Sequence, residues 1–216
     1  MSSPNSALPN MDKVLVSRKY LLDTNIFISA LKCKYYGFEL CPGFWEWLEL
    51  GCQQEQLLSI DMVRDEIKRP DSLCSWIDNK LPANFFKSTS ILPLEQIKEI
   101  SECILIHKEV GLSNANVDAN KVQNDDQKAI VKDVYSMNKI DAFVNSTDAY
   151  LIAYAKLMQY TLVTMETRSR PESKIKIPVI CDRIGVECIN LFELLQQNNI
   201  RFVLDTSSFK TTTVTL

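Results

Sequence analysis

Short apolar runs that end on a carboxylate recur along this 216-residue chain. The first run covers residues 20–22 and is followed at once by Asp23 and by helix-compatible residues. Such a run is typical of a buried parallel strand, and open α/β sheets bind their ligands beyond the carboxyl ends of their strands. Glu66, Asp148 and Glu166 stand at comparable boundaries. We therefore predict that four carboxylates meet at one edge of a sheet.

The alternation of strand and helix patterns favours an α/β fold with a central, mostly parallel, twisted sheet. The predicted strands are 19–22, 57–60, 161–164, 179–181 and 186–189. The main predicted helices are 24–34, 62–68, 94–109, 146–159 and 191–197, with a further helix around Leu73, Trp76 and Ile77. Asp61 is expected to cap the predicted helix 62–68 rather than to take part in catalysis.

One domain over residues 18–204 accounts for these patterns, and its length suits a single core. Residues 1–17 are expected to be a flexible lead-in, and residues 205–216 a loose tail. The stretch 71–140 is predicted to be a helical insertion, within which the Asn- and Asp-rich residues 113–127 form a loop. Phe44, Trp45 and Trp47 could stack nucleobases, but packing of a helix on the sheet is favoured.

Composition excludes several classes of function. The net charge of −3 argues mildly against a nucleic-acid binder. The single histidine, His107, rules out chemistry that needs several imidazoles. The five glycines form no phosphate-binding loop, and the seven cysteines form no CxxC pair, so we expect reduced and mostly buried thiols. No apolar run is long enough to span a membrane. The first ten residues lack the order of a signal peptide, so we expect a cytoplasmic protein.

The helix that carries Asp148 gives the strongest chemical signal. Leu151, Ile152 and Ala155 follow at i+3, i+4 and i+7, so the acid shares the apolar face of the helix. A carboxylate on a buried face is costly unless it is paired or binds a metal. Each acid alone could be a helix cap or a solvated charge. Gathered together, two such charges about 4 Å apart repel by about 4 kcal/mol at an effective dielectric constant of 20.

A bound cation would relieve this repulsion. Oxygen ligands without His or Cys suit Mg²⁺ or Mn²⁺. These ions activate water and stabilise the charge that develops on a phosphoryl group during displacement. The acids therefore point to hydrolysis of a phosphodiester.

Three segments resemble motifs of the PIN-domain ribonucleases. Residues 21–27 resemble the first motif, residues 147–155 the third and residues 162–166 the fourth. Residues 176–181 and 188–195 are similar to a PIN subfamily long described as of unknown function and often encoded beside a helix-turn-helix antitoxin. The resemblance covers about residues 18–204.

This resemblance implies a PIN-like α/β/α sandwich and a metal-dependent endoribonuclease, the toxin of a type II toxin–antitoxin pair. It implies Mg²⁺ or Mn²⁺ as cofactor and RNA as substrate, with a cognate antitoxin and a second copy of the chain as partners. The implied metal-binding catalytic acids are Asp23, Glu66, Asp148 and Glu166. Asn25 and Thr164 would orient these carboxylates or the attacking water.

A basic stretch follows Glu166 directly. We expect Arg168, Arg170 and Lys174 to contact the RNA backbone, while an ordinary solvated loop remains the alternative. Two other functions stay open. One is a PIN-like module that binds RNA or protein without cutting. The other is a phosphatase of the haloacid-dehalogenase class, which is disfavoured because Asp23-Thr24-Asn25 lacks the second acid of that class's motif.

Overall fold

A computed structural model of the chain describes residues 18–32, 37–38, 40–117, 136–168 and 174–202, and within 107–117 only the backbone. The predicted lead-in 1–17, the predicted tail 205–216 and Arg170 therefore lie outside the described residues. So do the side chain of His107 and most of the predicted loop 113–127. The division of the chain into a core and an insertion stays a prediction.

Five parallel strands form the central sheet in the order β3-β2-β1-β4-β5. The strands are β1 (Tyr20–Leu22), β2 (Leu57–Ile60), β3 (Phe86–Lys87), β4 (Thr161–Val163) and β5 (Cys188–Ile189). In the central register, Leu21 lies opposite Leu58 of β2 on one side and opposite Leu162 of β4 on the other. The predicted α/β class with its parallel sheet is confirmed.

Helices flank this sheet. They are α1 (Thr24–Lys32), α2 (Pro42–Gln53), α3 (Asp61–Glu66), α4 (Asp71–Lys80), α5 (Leu94–Val117), α6 (Met137–Val144), α7 (Thr147–Met158), α8 (Ile177–Ile184) and α9 (Leu191–Gln197), with a 3₁₀ turn at Thr89–Ile91. Helices α5, α6, α7 and α8 contact one another and form one layer. On α2 and α4, Trp45 packs against Trp76 with ring centroids 4.9 Å apart. Trp45 is thus a core residue, as the packing interpretation predicted.

Strands β1, β2, β4 and β5 are buried throughout, which explains why their sequences are mostly apolar, whereas the edge strand β3 is only partly buried. Leu21, Leu22, Leu162 and Val163 have no exposed surface, and the helices bury Phe27, Leu48 and Ile152 against them. From β1 the chain first builds the sheet in one direction through β2 and β3. It then returns through α5, α6 and α7 to build β4 and β5 on the other side of β1. The direction of winding therefore reverses between β1 and β4, where α/β sheets of this kind open a crevice at the carboxyl edge.

Two local predictions were wrong, and one strand was missed. Residues 179–181, predicted as a strand, lie in helix α8, because Pro178 occupies the first turn and Gly185 ends the helix in the left-handed conformation at φ 73°. Residues 113–117, predicted as a loop, continue helix α5. Strand β3 was missed because Phe86–Lys87 shows neither an apolar run nor alternation, whereas the two-residue strand β5 ends the predicted strand 186–189.

Two expectations about composition can be compared with the described residues. The six cysteines that lie within them are free thiols, and three of these, Cys52, Cys181 and Cys188, are buried. None of the described helices is both long and apolar enough to cross a membrane.

Candidate functional site

Asp23 follows β1 at the point where the winding reverses. Its backbone N–H donates to the carbonyl of Val163 at 3.0 Å, which fixes it beside the end of β4. Its side chain is 5% exposed, and one carboxylate oxygen accepts a hydrogen bond of 2.7 Å from the Thr164 hydroxyl. Asp23 is therefore a buried carboxylate held by both central strands.

Of the two residues predicted to support the acids, Thr164 contacts Asp23 directly and Asn25 contacts Thr164. Asn25 donates from Nδ2 to Thr164 Oγ1 at 2.9 Å and accepts from the backbone N–H of Met165 at 2.9 Å. Thr164 also accepts from the backbone N–H of Glu166 at 3.1 Å. Asn25 thus ties the start of α1 to the end of β4, and Thr164 links Asp23 to the segment that carries Glu166.

Glu166 is held from two sides, and its side chain is 11% exposed. One carboxylate oxygen accepts from the backbone N–H of Ile177 at 2.9 Å, at the first residue of α8. The other oxygen forms a short ion pair with the Lys174 ammonium. The free N–H groups at the start of a helix favour an anion there.

Asp148 and Glu66 approach from the two helical layers. Asp148 lies in the first turn of α7, whose carboxyl end leads into β4, so the acid is at the carboxyl edge of the sheet. Glu66 is the last residue of α3 and is exposed. Its carboxylate accepts a hydrogen bond of 2.5 Å from the hydroxyl of Thr24, the residue after Asp23.

The charges of the four acids act on one another. Burial raises the pKa of Asp23 from 3.8 to about 7, the Thr164 hydroxyl lowers it, and the charges of Asp148 and Glu166 raise it. Burial also raises the pKa of Asp148 to about 6, with Glu166 and Glu66 adding to the rise and Lys174 opposing it. Each of the four predicted acids therefore belongs to one electrostatic cluster.

Lys174 is the cation of this cluster. Burial lowers the pKa of its ammonium, but the contact with Glu166 and the charges of Asp148 and Asp23 outweigh burial and raise it. Sequence reasoning placed Lys174 on RNA and did not predict this pairing. The two residues lie eight positions apart in an irregular segment, and no sequence pattern marks such a contact.

The acid cluster has the donor chemistry of a Mg²⁺ or Mn²⁺ site. The atoms that could bind an ion are carboxylate oxygens, and burial, together with the charges of the neighbouring acids, raises the pKa values of Asp23 and Asp148. Within the described part of the chain, however, no group of three acid, imidazole or thiol side chains is arranged to hold an ion. In this arrangement Thr24 holds the carboxylate of Glu66, and Lys174 and Ile177 hold that of Glu166.

Two other polar residues have structural partners. Arg168, predicted to contact RNA, forms an ion pair with Asp182 at 3.1 Å and donates to the Cys188 carbonyl at 2.8 Å. Asp61 accepts from the backbone N–H and hydroxyl of Thr89 at 3.0 and 2.8 Å, and from the N–H of Met62 at 2.9 Å. Asp61 therefore anchors the 3₁₀ turn. The predicted cap was wrong, because Asp61 is the first residue of α3 and Ile60 occupies the N-cap position.

The family described as "Domain of unknown function (DUF4411)" matches residues 20–128 and 118–202. The match covers most of the chain, and the chain belongs to this family. It includes all four acids and both helical layers. No curated protein matches the sequence.

Proposed function

We propose that this member of the DUF4411 family is a PIN-like, Mg²⁺- or Mn²⁺-dependent endoribonuclease that acts as the toxin of a type II toxin–antitoxin pair. The observation that carries the proposal is the acid cluster at the reversal point of the sheet. Four carboxylates, two of them with raised pKa values, are gathered where α/β sheets bind their ligands. A structural role alone would not favour such a concentration of like charge.

Asp23, Glu66, Asp148 and Glu166 would hold the ion. When bound, it would activate a water molecule and neutralise charge on the phosphate. The chain's own residues supply orientation. Thr164 directs one oxygen of Asp23, and Asn25 fixes Thr164 and the backbone of Met165.

The sequence offers few reactive groups other than the acids, and this favours hydrolysis of a phosphodiester. In the sequence, one histidine and no glycine-rich phosphate loop leave the acids as the reactive groups of the site. Lys174 adds positive charge beside them, which favours a polyanionic substrate. The exposed basic residues Lys68 and Arg69 near Glu66 extend that charge.

Cleavage of circular single-stranded RNA tests the proposal, since only an endonuclease can open a circle. With Mn²⁺ we expect the wild type to linearise the circle, and Asp23→Asn and Asp148→Asn to lose at least about 100-fold in rate. Asp65→Asn is the matched control, because Asp65 is an exposed acid of α3 and undergoes the same change of charge. Equal rates in all four proteins would contradict the proposal, as would a wild type that leaves the circle closed.

A PIN-like module that binds RNA without cutting is the second candidate. It is favoured by the contacts of Glu66 with Thr24 and of Glu166 with Lys174, which satisfy two of the acids without an ion. If this candidate is correct, the wild type should bind RNA without cleaving it and should not bind Mn²⁺. The same set of variants therefore separates the two candidates.

We extend the proposal to the biological setting. The protein acts in the cytoplasm, forms homodimers, and is held inactive by a cognate antitoxin. Expression of the wild type should arrest growth, and Asp23→Asn should abolish the arrest. Co-expression of the protein encoded beside it should also relieve the arrest.

A further inference from the structure

A cavity of about 340 Å³ opens beside Asp148. Ala142, Phe143 and Ile175 supply an apolar surface, and Lys139 and Lys174 line it together with Asp148. Its volume lies at the small end of ligand sites, about the size for one nucleotide rather than a larger ligand. The cavity shares two residues, Asp148 and Lys174, with the acid cluster.

The chemistry of the lining matches the parts of a nucleotide. A nucleobase has an apolar face that packs against side chains, and its phosphate is an anion that lysines attract. We propose that the cavity receives the base of the nucleotide that adjoins the phosphate at the acid cluster. This inference rests on the proposed RNA substrate and adds a position that selects the base next to the cut.

The turn between α6 and α7 holds the cavity at a fixed distance from the acids. The Ser146 hydroxyl and backbone N–H both donate to the carbonyl of Phe143, at 2.6 and 2.9 Å. Asp148 lies two residues further on, in the first turn of α7. Phe143 and Asp148 thus flank one hydrogen-bonded turn and line the same cavity, so a base against Phe143 would lie beside Asp148.

Filling the cavity tests the proposal. Ala142 is exposed on α6, and the larger side chain of Ala142→Leu would narrow the cavity. Leucine favours helix, so α6 should be kept, and it has no ring that could stack on a base. Ala83→Leu is the matched control, because Ala83 is also exposed but precedes β3 at the opposite edge of the sheet. Thermal unfolding of each variant checks that the fold is kept.

The primary measurement is fluorescence anisotropy of labelled random single-stranded RNA decamers in EDTA, where no cleavage occurs. We expect Ala142→Leu to raise the dissociation constant about tenfold, which is the effect of losing one stacked base, and Ala83→Leu to leave it unchanged. In Mn²⁺, sequencing of the cleaved ends should show a different base preference beside the cut for Ala142→Leu only.

The outcomes separate this inference from the proposed function. If the wild type cleaves RNA but Ala142→Leu binds and cuts like the wild type, the base site is wrong while the nuclease stands. If the wild type binds RNA without cleaving it, the nuclease is wrong and the anisotropy comparison still decides the cavity. A wild type that binds no decamer would overturn the base site.

Discussion

Lys174 gives the acid cluster an internal counter-ion. Its ammonium pairs with Glu166 and attracts Asp148 and Asp23, in the space where a divalent ion would add its charge. Because like charges repel, Lys174 and a bound ion would compete for the same carboxylates. The ammonium offsets part of the repulsion, since it lowers the pKa of Asp148.

Lys174→Gln should therefore strengthen Mn²⁺ binding several-fold, since the ion no longer displaces an ammonium group. Isothermal titration calorimetry measures this directly. Lys156→Gln is a suitable control, because Lys156 pairs with Glu99 at the far end of α7. Weaker Mn²⁺ binding by Lys174→Gln than by the control would show that the lysine supports the site rather than competes for it.

Asp23 should make the stability of the protein depend on pH. Its pKa is raised from 3.8 to about 7, so between these values the folded state holds a proton that the unfolded chain releases. The free energy of unfolding then falls as pH rises through this window, by up to about 4 kcal/mol for three pKa units. The loss is complete above pH 7, where the folded carboxylate is also charged.

Urea unfolding in EDTA at several values between pH 4 and 8 checks this expectation. Asp23→Asn carries no titrating group at this position, so its stability should fall less over the window and exceed that of the wild type at pH 8. The difference between the two proteins removes the contribution of other groups, including Asp148. Parallel pH profiles for the two proteins would rule out Asp23 as the source.

At the scale of elements, α2 approaches β2 through Gly51. A Cβ atom at this position would lie 2.5 Å from Cδ1 and 2.7 Å from Cγ of Leu57, which is itself 3% exposed. Gly51→Ala gains about 1 kcal/mol of helix propensity but overpacks a buried contact at a cost of about 1–3 kcal/mol. We expect a net loss of about 1 kcal/mol.

A double-mutant cycle isolates the contact. Leu57→Ala removes both atoms that would clash, so in that background Gly51→Ala should become neutral or stabilising. Urea unfolding of the four proteins gives the coupling energy. If Gly51→Ala lowers the free energy of unfolding equally in both backgrounds, its effect does not come from the contact with Leu57.

The elements that sequence analysis predicted are those with a long periodic or apolar signal. Strands β1 and β4 and helix α7 carry such signals, and with them the positions of Asp23 and Asp148 at the carboxyl edge. Helix α8 was assigned as a strand because Val179, Ile180 and Cys181 favour strands locally, whereas tertiary packing of the helix on its neighbours decides the structure.

The contacts within the site could not be predicted to the same extent. Asn25 and Thr164 were expected beside the acids because of the resemblance to PIN-domain ribonucleases. Glu66 was predicted from position alone, and only the folded chain brings its carboxylate to the Thr24 hydroxyl. The pairing of Lys174 with Glu166 depends on the path of an irregular segment, which no periodicity encodes.

At the scale of the whole molecule, the acids join the two halves of the sheet. Asp23 and Glu66 belong to the half built by β1, β2 and β3, whereas Asp148 and Glu166 belong to the half that contains β4 and β5. An ion that binds all four would therefore link both halves and the helical layers on either side. Its binding free energy would add to the stability of the entire fold.

Mn²⁺ should accordingly raise the unfolding temperature of the wild type. At an ion concentration 100 times the dissociation constant, the gain is about 2.7 kcal/mol, or roughly 5–10 °C for a chain of this length. Differential scanning calorimetry with added Mn²⁺, compared with NaCl of equal ionic strength, separates specific binding from screening. The double variant Asp23→Asn/Asp148→Asn should show no Mn²⁺-dependent shift, although relief of repulsion should raise its unfolding temperature in EDTA. A Mn²⁺-dependent shift that persists in the double variant would show that the ion binds outside the acid cluster. Because this measurement involves no RNA, that conclusion would not depend on the identity of the substrate.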